Sequence, residues 1–572
     1  KFGDVTIESE LRDYKPKAES LATKKGAWYN AKQVEDTVEG LTEAAGLFGY
    51  AFAEVNPDFV RDKDTRTMSI AYKISDAPRV YVERVDINGN TTTLDKVIRR
   101  EFRLAEGDPF NSFQVKRSSD RIQSLGYFQE KLQIEQKPGS TPDRIVLQAN
   151  VEEKATGELQ LSAGFSSLER FIINFSIRQR NFRGKGQELR AGVNYSQYSK
   201  SVELGFTEPY FMDRNIALGA DVFRRDLNSF NFINQSRQTT YQQITTGMQV
   251  RMGAPITEYW SFAVRYGLSF DDVSLNELTY YYNGQCDPFL AGRYLCDAIG
   301  KRTTSSVGYS LVFDDLDNRL RPTRGRRFVF SQDFAGLGGS VNYIRSNVDA
   351  RQYWKPFGNY VFSLSAEGGF IHSFENPKTP GSDPVRLTDR YFLGEPQFPG
   401  FDIRGLGPRV QRQFYDSNGN PITARNQVVD DSLGGRAYYL GRMELELPLG
   451  SGAREMGLRP SIFAVMGSVF GVKRPQTNDL PNGLRRCRNN TTGVVTEQSY
   501  GSSCSESQTL LFEVPGFREV FYGDTWQPRL SVGFGVNWRS PFGPFRIDLA
   551  KALIKKDGDD PKLFTFNVGT QF

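Results

Sequence analysis

The sequence predicts tandem α+β modules followed by an all-β, sixteen-stranded antiparallel transmembrane barrel. Three observations lead to this fold class: a repeat in the first 153 residues, long alternating segments from about residue 157, and a final segment alternating apolar and polar residues. Apolar residues make up only 38% of the chain and aromatic residues 13%, which suits a barrel because only every second strand residue faces lipid. The predicted boundaries are 1–78, 79–154 and 155–572.

The repeat defines the two modules. Leu47-Phe-Gly-Tyr50 recurs as Ser124-Leu-Gly-Tyr127 at an offset of 77. Upstream, Gly26-x3-Asn30-x2-Gln33-Val34 recurs as Gly107-x3-Asn111-x2-Gln114-Val115 at a slightly larger offset. The extra residues fit about one more helical turn in the first copy. Each unit is predicted to run strand, helix, helix, strand, strand, with Gly-Tyr marking the exit from the second helix.

The barrel prediction is based on period-two alternation. In Gly157–Ser166, for example, Leu159, Leu161, Ala163 and Phe165 share one face. The sixteen predicted strands start near residues 157, 169, 186, 199, 215, 236, 259, 301, 324, 340, 359, 434, 458, 528, 543 and 562. Long polar stretches at 276–300, 375–433 and 473–526 alternate with short turns. Short periplasmic turns and long outer loops are typical of outer-membrane barrels.

The last eleven residues, from Lys562 to Phe572, are predicted to form the closing strand. One face carries Phe564, Phe566, Val568, Thr570 and Phe572. In a soluble protein such an apolar edge strand would promote aggregation. In a barrel it faces lipid and completes the backbone pairing that the bilayer demands. A large soluble β-domain is the alternative, but it gives no reason for the aromatic end.

Composition excludes several functional classes. No run approaches the roughly 18–20 apolar residues of a membrane helix. The single histidine, His372, argues against a His-built metal site, and neither a Ser/His/Asp arrangement nor a Gly-rich phosphate loop indicates an enzyme. The net charge of +5 is spread over the chain without a Lys/Arg block. We therefore expect no enzyme activity, no cofactor, no metal and no nucleic-acid partner.

Four cysteines occur as two close pairs, Cys286 with Cys296 and Cys487 with Cys504. Each pair lies in a polar stretch between predicted strands. Two disulfide bonds within surface loops are expected, which implies an oxidising compartment. A zinc site is the alternative, but it would need tighter CxxC-type spacing.

Several motifs carry a family resemblance. They are Asn88-Gly-Asn90, Arg99-Arg-Glu-Phe102, Leu125-Gly-Tyr-Phe128, Thr207-Glu-Pro-Tyr-Phe211, Arg321-Pro-Thr-Arg-Gly325, Ser540-Pro-Phe-Gly-Pro544 and the terminal Phe564–Phe572. Over essentially the whole chain they resemble the BamA family, the central subunits of the bacterial outer-membrane β-barrel assembly machine. The tandem units look like POTRA modules. That family usually carries more of them, and the chain starts at Lys1 rather than Met, so a truncated form is expected. A TamA-like sibling stays open.

The resemblance is most specific in the loop between the eleventh and twelfth strands. Gly400-Phe401 and Gly407-Pro408 match the family pattern, but Pro399 stands where the family has arginine. The resemblance implies that this arginine reaches into the barrel and pairs with acidic residues on the inner wall.

Of those two acids, Glu444 matches one and Val465 replaces the other. An unpaired acid inside a barrel is costly, so the joint loss of arginine and acid is consistent with charge balance. We hypothesise that Arg404 now anchors the loop to Glu444. The alternative is a solvated Arg404.

The resemblance further implies a function: insertion and folding of β-barrel proteins by strand addition at a lateral gate between the first and last strands. Glycines interrupt both strands, and glycine weakens a strand interior. They could instead relieve crowding at the rim. The predicted gate residues are Gly157, Leu159, Leu161, Gly164, Phe566, Gly569 and Phe572.

Partners and location also follow from the resemblance. The barrel would lie in the bacterial outer membrane, in contact with lipid and lipopolysaccharide, with its POTRA modules in the periplasm. Expected partners are unfolded outer-membrane proteins, periplasmic chaperones, BamD and other lipoproteins. Arg99, Arg100 and Glu101 match the region that meets BamD, although such charges are often plain helix surface. A two-partner secretion translocator is the main alternative, and a passive porin, which lacks such modules, is disfavoured.

Overall fold

The computed structural model describes the chain except for 19, 20, 22, 63, 130, 131, 133, 167, 168, 234, 235, 319–321, 378–380, 450–456, 541, 542 and 569–572. By their contacts the residues form two compact units. One comprises Lys1–Glu158 with Gln179–Glu188, and the other comprises Leu159–Arg178 with Leu189–Phe572.

The first module packs a helix against a three-stranded sheet. Its elements are the strand Phe2–Ser9, the helix Ala31–Leu47 and the strands Val55–Asp62 and Thr67–Ile74. Thr67–Ile74 is the middle strand, parallel to the first and antiparallel to the second. The core includes Phe2, Leu41, Ile70 and Tyr72. The other predicted helix falls between residues 10 and 30, where the described residues contain no α-helix; 19, 20 and 22 lie outside the description.

The second module has the predicted order strand, helix, helix, strand, strand. Its elements are Tyr81–Asn88, Asp95–Arg99, Ser112–Ser124, Ile134–Pro138 and Arg144–Asn150. Arg144–Asn150 is the middle strand of its sheet. Val82, Ile98, Ile145 and Leu147 lie in its core.

The repeated sequence has local structural causes. The side chains of Asn30 and Asn111 accept hydrogen bonds from backbone amides at their helix starts, at 3.0 and 3.1 Å, as N-cap residues do. The first helix has 17 residues and the equivalent second has 13. This difference confirms the expected extra turn. Gly49 and Gly126 have φ of 93° and 72°, which favours glycine where a helix ends.

Glu153 stabilises a turn of the second module and provides a pH-dependent prediction. It accepts hydrogen bonds from Thr91 Oγ1, Thr92 N and Thr93 N at 2.7, 2.9 and 2.6 Å. Burial alone would raise the pKa of Glu153, but bonds from Thr93, Thr91 and Thr92 outweigh it and lower the pKa to about 2. This stabilisation is therefore complete above the ordinary pKa of 4.5 and is lost as the pH falls toward about 2.

We expect the Thr92 and Thr93 amides to lose protection from hydrogen exchange over that pH range. Glu153→Ala should remove the protection already at neutral pH, because no acceptor remains. Exchange measured by mass spectrometry, corrected for the intrinsic effect of pH, tests this. Equal protection in the variant and the parent chain at pH 7 would contradict it.

The barrel wall contains sixteen strands among the described residues. They are Gly157–Ser166, Arg170–Phe182, Gln187–Ser196, Ser199–Glu208, Ala217–Ile233, Ser236–Pro255, Trp260–Leu275, Gly300–Asp314, Gly325–Gly339, Tyr343–Trp354, Val361–Ser373, Ala437–Glu446, Leu458–Phe470, Arg529–Ser540, Gly543–Ile554 and Phe564–Val568. Each starts within three residues of its predicted position. The sheet closes on itself, which confirms the predicted fold class.

Further short strands lie in the long connections. They are Tyr281–Tyr282, Gln285–Cys286, Arg409–Phe414, Val429–Ser432, Asp479–Leu480, Leu484–Asn489, Val495–Gln498, Gln508–Val514 and Phe517–Tyr522. Short helices Glu277–Tyr280, Pro288–Ala291 and Arg293–Cys296 lie in the first long loop. None of the described helices has the length and apolarity needed to cross a membrane.

The two faces of the wall differ as predicted. Apolar side chains such as Phe262, Phe334 and Leu364 are exposed on the outer face. The inner face carries ion pairs, including Arg265 with Asp333 at 2.6 Å. Apolar residues outside and paired charges inside are what a bilayer and a wet lumen require.

Candidate functional site: the barrel seam and its internal loop

The seam joins the last strand, Phe564–Val568, to the first, Gly157–Ser166. Among the described residues only two register pairs connect them, Asn567 with Ser166 and Val568 with Phe165. The last strand makes five such pairs with its other neighbour. Two central wall strands, Ser236–Pro255 and Trp260–Leu275, make fifteen. Among the described residues, far less backbone pairing must therefore be broken to open the wall at the seam than at either of these strand pairs.

Side chains at the seam follow the predicted alternation. Thr565 and Asn567 are buried on the inner face, whereas Phe564 is exposed. On the first strand, Leu159 and Leu161 are 70% and 71% exposed toward the outside. The predicted gate residues Gly569 and Phe572 lie outside the described residues, and Gly157, Gly164 and Phe566 occur in the two seam strands.

The loop 394–409 packs into an apolar cluster on the inner wall. Phe398 and Phe401 are fully buried, with their rings edge to face at 5.1 Å. The cluster also contains Leu393, Leu406, Leu440, Phe463, Val465, Val469 and Ala550. Val465, which replaces the expected acid, is therefore part of an apolar anchor. Apolar burial holds the loop where charge pairing was predicted.

Two backbone features explain the loop's glycine motif. Gly400 has φ of 100°, and a Cβ there would lie 2.7 Å from the Ser531 Cβ. Gly407 has φ of 98°. Ser531 Oγ donates to the Pro399 carbonyl oxygen at 2.6 Å. Glycine is therefore required both by the left-handed conformation and by the close approach to the wall.

The predicted Arg404–Glu444 ion pair is wrong. Arg404 Nη1 donates to Ser229 Oγ at 2.7 Å, and its guanidinium lies 4.5 Å from the centre of the Phe392 ring. Glu444 instead accepts from Arg442 Nε at 2.9 Å and from Ser461 Oγ at 2.5 Å.

The wall itself thus neutralises Glu444, since Arg546 also lies 3.7 Å away. Arg442 precedes Glu444 by two residues, and strand side chains two apart share a face. That spacing was the sequence signal that could have identified the real partner.

The same loop contacts the segment directly before the last strand. Asp402 N donates to Asp560 O at 2.8 Å, Asp560 N to Gly405 O at 2.6 Å, and Lys562 N to Gly400 O at 3.0 Å. Lys562 Nζ lies 2.7 Å from a carboxylate oxygen of Glu395, whose side chain is 1% exposed. The loop is therefore joined to the segment leading into the last strand by backbone hydrogen bonds and by an ion pair whose carboxylate is buried.

Buried arginines extend this junction. Arg529 and Asp559 form a pair at 3.0 Å in which both side chains are 0% exposed. Arg409 donates to the Gly558 carbonyl oxygen at 3.0 Å and pairs with Asp430 at 2.7 Å. Sequence reasoning missed these residues. The acidic run before the last strand was the available signal.

The cysteine pairs form the predicted disulfides, with Cα–Cα distances of 5.6 Å for Cys286–Cys296 and 5.8 Å for Cys487–Cys504. An ion pair between Arg486 and Asp287 connects the two loops. The Arg486 guanidinium also lies 4.7 Å from the Tyr282 ring and 5.0 Å from the Phe512 ring. The outer loops are thus held to each other as well as within themselves.

The three residues predicted to meet a lipoprotein differ in exposure. Arg99 is partly exposed and pairs with Asp95 at 2.8 Å. Glu101 is buried and pairs with Arg121 at 2.6 Å. Glu101 is therefore a structural residue of the module, which corrects the prediction that it contributes to a binding surface.

Among the described residues no group of His, Cys, Asp or Glu is arranged to hold a metal ion.

The fold and the site define a β-barrel membrane protein preceded by two small α/β modules. The Omp85 superfamily domain matches residues 181–572. POTRA, the surface antigen variable number repeat, matches residues 1–76 and 80–154. The chain belongs to the Omp85 superfamily.

Two proteins of known name are similar to this chain over its full length. It is 27% identical over 590 residues to outer membrane protein assembly factor BamA of Neisseria meningitidis, covering 100% of this chain and 67% of the relative. It is 27% identical over 577 residues to the protein of that name in Neorickettsia risticii, covering 100% and 66%. The chain thus spans about two thirds of their length.

The fold resembles the crystal structure of BamA from Haemophilus ducreyi lacking POTRA domains 1–3, with a TM-score of 0.70 and 20% identity over 100% of both chains.

Proposed function

We propose that this chain, in the bacterial outer membrane with its POTRA modules in the periplasm, inserts and folds other β-barrel proteins. It does so without catalysis, by strand addition at a lateral gate. The observation that carries this proposal is the seam, where two register pairs close the wall among the described residues. The relatives' names, which call them outer membrane protein assembly factors, support it.

The energetics favour this seam as the gate. In a bilayer each unsatisfied backbone group costs several kcal/mol, so opening a long strand pair is prohibitive. Breaking the two pairs that the described residues form at the seam exposes a strand edge at far lower cost. An incoming strand then restores the lost hydrogen bonds by adding to that edge. The outward row of Leu159, Leu161 and Phe165 keeps the first strand in contact with lipid meanwhile.

The internal loop holds one side of the proposed gate in place. Its hydrogen bonds to Asp560 and Lys562 hold the start of the last strand. The last strand therefore pivots near Lys562, while its pairing with the first strand breaks further along. Unfolded barrel proteins are the substrates, and Arg99, exposed on the second module, contacts a lipoprotein partner of the BamD kind.

A reversible lock across the seam tests the proposal. Ser166→Cys with Asn567→Cys places two thiols at register partners. Directly opposite strand residues have Cα atoms about 4.5–5.5 Å apart, within disulfide range. In cells depleted of the native protein, the oxidised pair is expected to lower the abundance of other outer-membrane barrels. Reductant is expected to restore it.

The matched control is Ser310→Cys with Ser331→Cys, a register pair within the wall. It introduces the same chemistry away from the seam and should leave assembly unchanged. The parent chain with reductant controls for loss of the two native disulfides. Full assembly by a protein shown to be cross-linked at the seam would rule out gating there.

A further inference from the structure

The outer wall carries a depression of about 510 Å³ at its short-turn end. It opens on the face that carries the exposed apolar side chains, away from the seam and the internal loop. Lining residues include Trp260, Phe313, Arg326, Phe328, Ala350 and Ala366.

The strand register explains why the outer face of the wall is depressed there. Trp260 pairs with Phe313, Phe313 with Phe328, Phe328 with Ala350, and Ala350 with Ala366. One row on the outer face therefore changes from three aromatic rings to two methyl groups. The rings form a side wall, and the alanines form an apolar floor against which a hydrocarbon chain can pack.

An ion pair lies at the edge of this depression. Arg326 Nη2 lies 3.1 Å from the Asp315 carboxylate, and Nε lies 3.3 Å from it. The Arg326 side chain is 61% exposed, and its guanidinium lies 5.4 Å from the Phe313 ring centre. Nη1 has no hydrogen-bond partner among the described residues. The Asp315 carboxylate also accepts from the Arg326 backbone amide. The edge thus presents a guanidinium beside a carboxylate.

We propose that the depression binds a zwitterionic phospholipid with a primary ammonium group, such as phosphatidylethanolamine. Its phosphate accepts from Arg326, its ammonium donates to Asp315, and one acyl chain lies over Ala350 and Ala366. Adjacent opposite charges match a zwitterionic headgroup better than an anionic one, which Asp315 repels. The short turns face the periplasm, so the lipid belongs to the periplasmic leaflet. This inference rests on the proposed membrane location and is independent of the gate.

Native mass spectrometry of the full chain in detergent tests the proposal. The protein is titrated with phosphatidylethanolamine, phosphatidylglycerol or phosphatidylcholine, and bound lipid is counted. We expect one phosphatidylethanolamine to be retained at lower concentration than either other lipid. Arg326→Gln should weaken its binding about tenfold, since a charge-assisted contact is lost. Arg326→Lys should restore part of the binding because the cation remains.

Ala366→Leu fills the floor and should weaken all acyl binding there. Its matched control is Ala254→Leu, another outward alanine, register partner of Phe262 and outside the depression. The mobility shift of the folded barrel on gels confirms that each variant folds. Equal retention of the three lipids, or unchanged retention in both Arg326→Gln and Ala366→Leu, would overturn the proposal. Barrel assembly is measured in a separate experiment. Failure of the gate proposal would therefore not change the interpretation of the lipid-binding result.

Discussion

Lys562→Met is expected to lower the free energy of unfolding by about 3–5 kcal/mol. The Lys562 ammonium lies 2.7 Å from Glu395 and 3.2 Å from Asp402, and the Glu395 side chain is 1% exposed. Without Lys562 the buried carboxylate keeps its charge or takes up a proton, and both cost free energy. Urea unfolding of the barrel in detergent, followed by gel mobility and tryptophan fluorescence, measures the loss.

A double variant distinguishes the effect of losing the ion pair from the effect of shortening the lysine side chain. Adding Glu395→Gln to Lys562→Met removes the orphaned charge and should recover much of the stability. Lys551→Met, on an exposed lysine of the preceding strand, is the matched control and should change stability by less than about 0.5 kcal/mol. If the single variant at 562 matched this control, Lys562 would not hold the last strand to the loop.

Hydrogen exchange locates the effect. Asp560 N and Lys562 N donate to the internal loop, so their protection should fall in Lys562→Met while the central wall strands stay protected. That pattern would show that the junction loosens locally before the barrel unfolds.

The wall could be predicted from sequence because its rule is local. A lipid-facing strand must be apolar at every second residue, and Leu159 and Leu161 follow this rule without reference to any other strand. The capping roles of Asn30 and Asn111 were predictable for the same reason, since an N-cap side chain accepts from amides only two or three residues away. The disulfides were predictable for a similar reason, as each joins cysteines only 10 or 17 residues apart.

The charged contacts could not be predicted in this way. Glu395 and Lys562 are separated by 167 residues, and no periodicity relates a loop inside a barrel to the strand it meets. The Arg404–Glu444 hypothesis failed because it assumed that an acidic residue on the inner wall must find its cationic partner in the loop. Arg442 already satisfies that acid from the same strand face. Glu101 was misassigned to a surface because its partner, Arg121, is on the following helix.

Phe401→Ala tests what holds the loop in the barrel. The Phe401 ring is fully buried against Phe398 in a cluster with Val465 and Ala550. Removing it leaves a cavity, and such truncations cost about 3–5 kcal/mol. We expect the urea midpoint to fall and the amides of the loop to exchange faster, since the apolar contacts are its main attachment to the wall.

The discriminating comparison is with Arg404→Ala. Among the described residues the Arg404 side chain makes one hydrogen bond, to Ser229, and one ring contact, to Phe392, so its truncation should cost only about 1–2 kcal/mol. Phe370→Ala, an exposed outward ring, controls for deletion of a phenyl group elsewhere. If Arg404→Ala released the loop as fully as Phe401→Ala, charge rather than apolar packing would anchor it. We instead expect Phe401→Ala to destabilise the loop more than Arg404→Ala does. The phenyl rings would then be the main attachment of the loop, which explains how it keeps its position with proline at 399 and valine at 465.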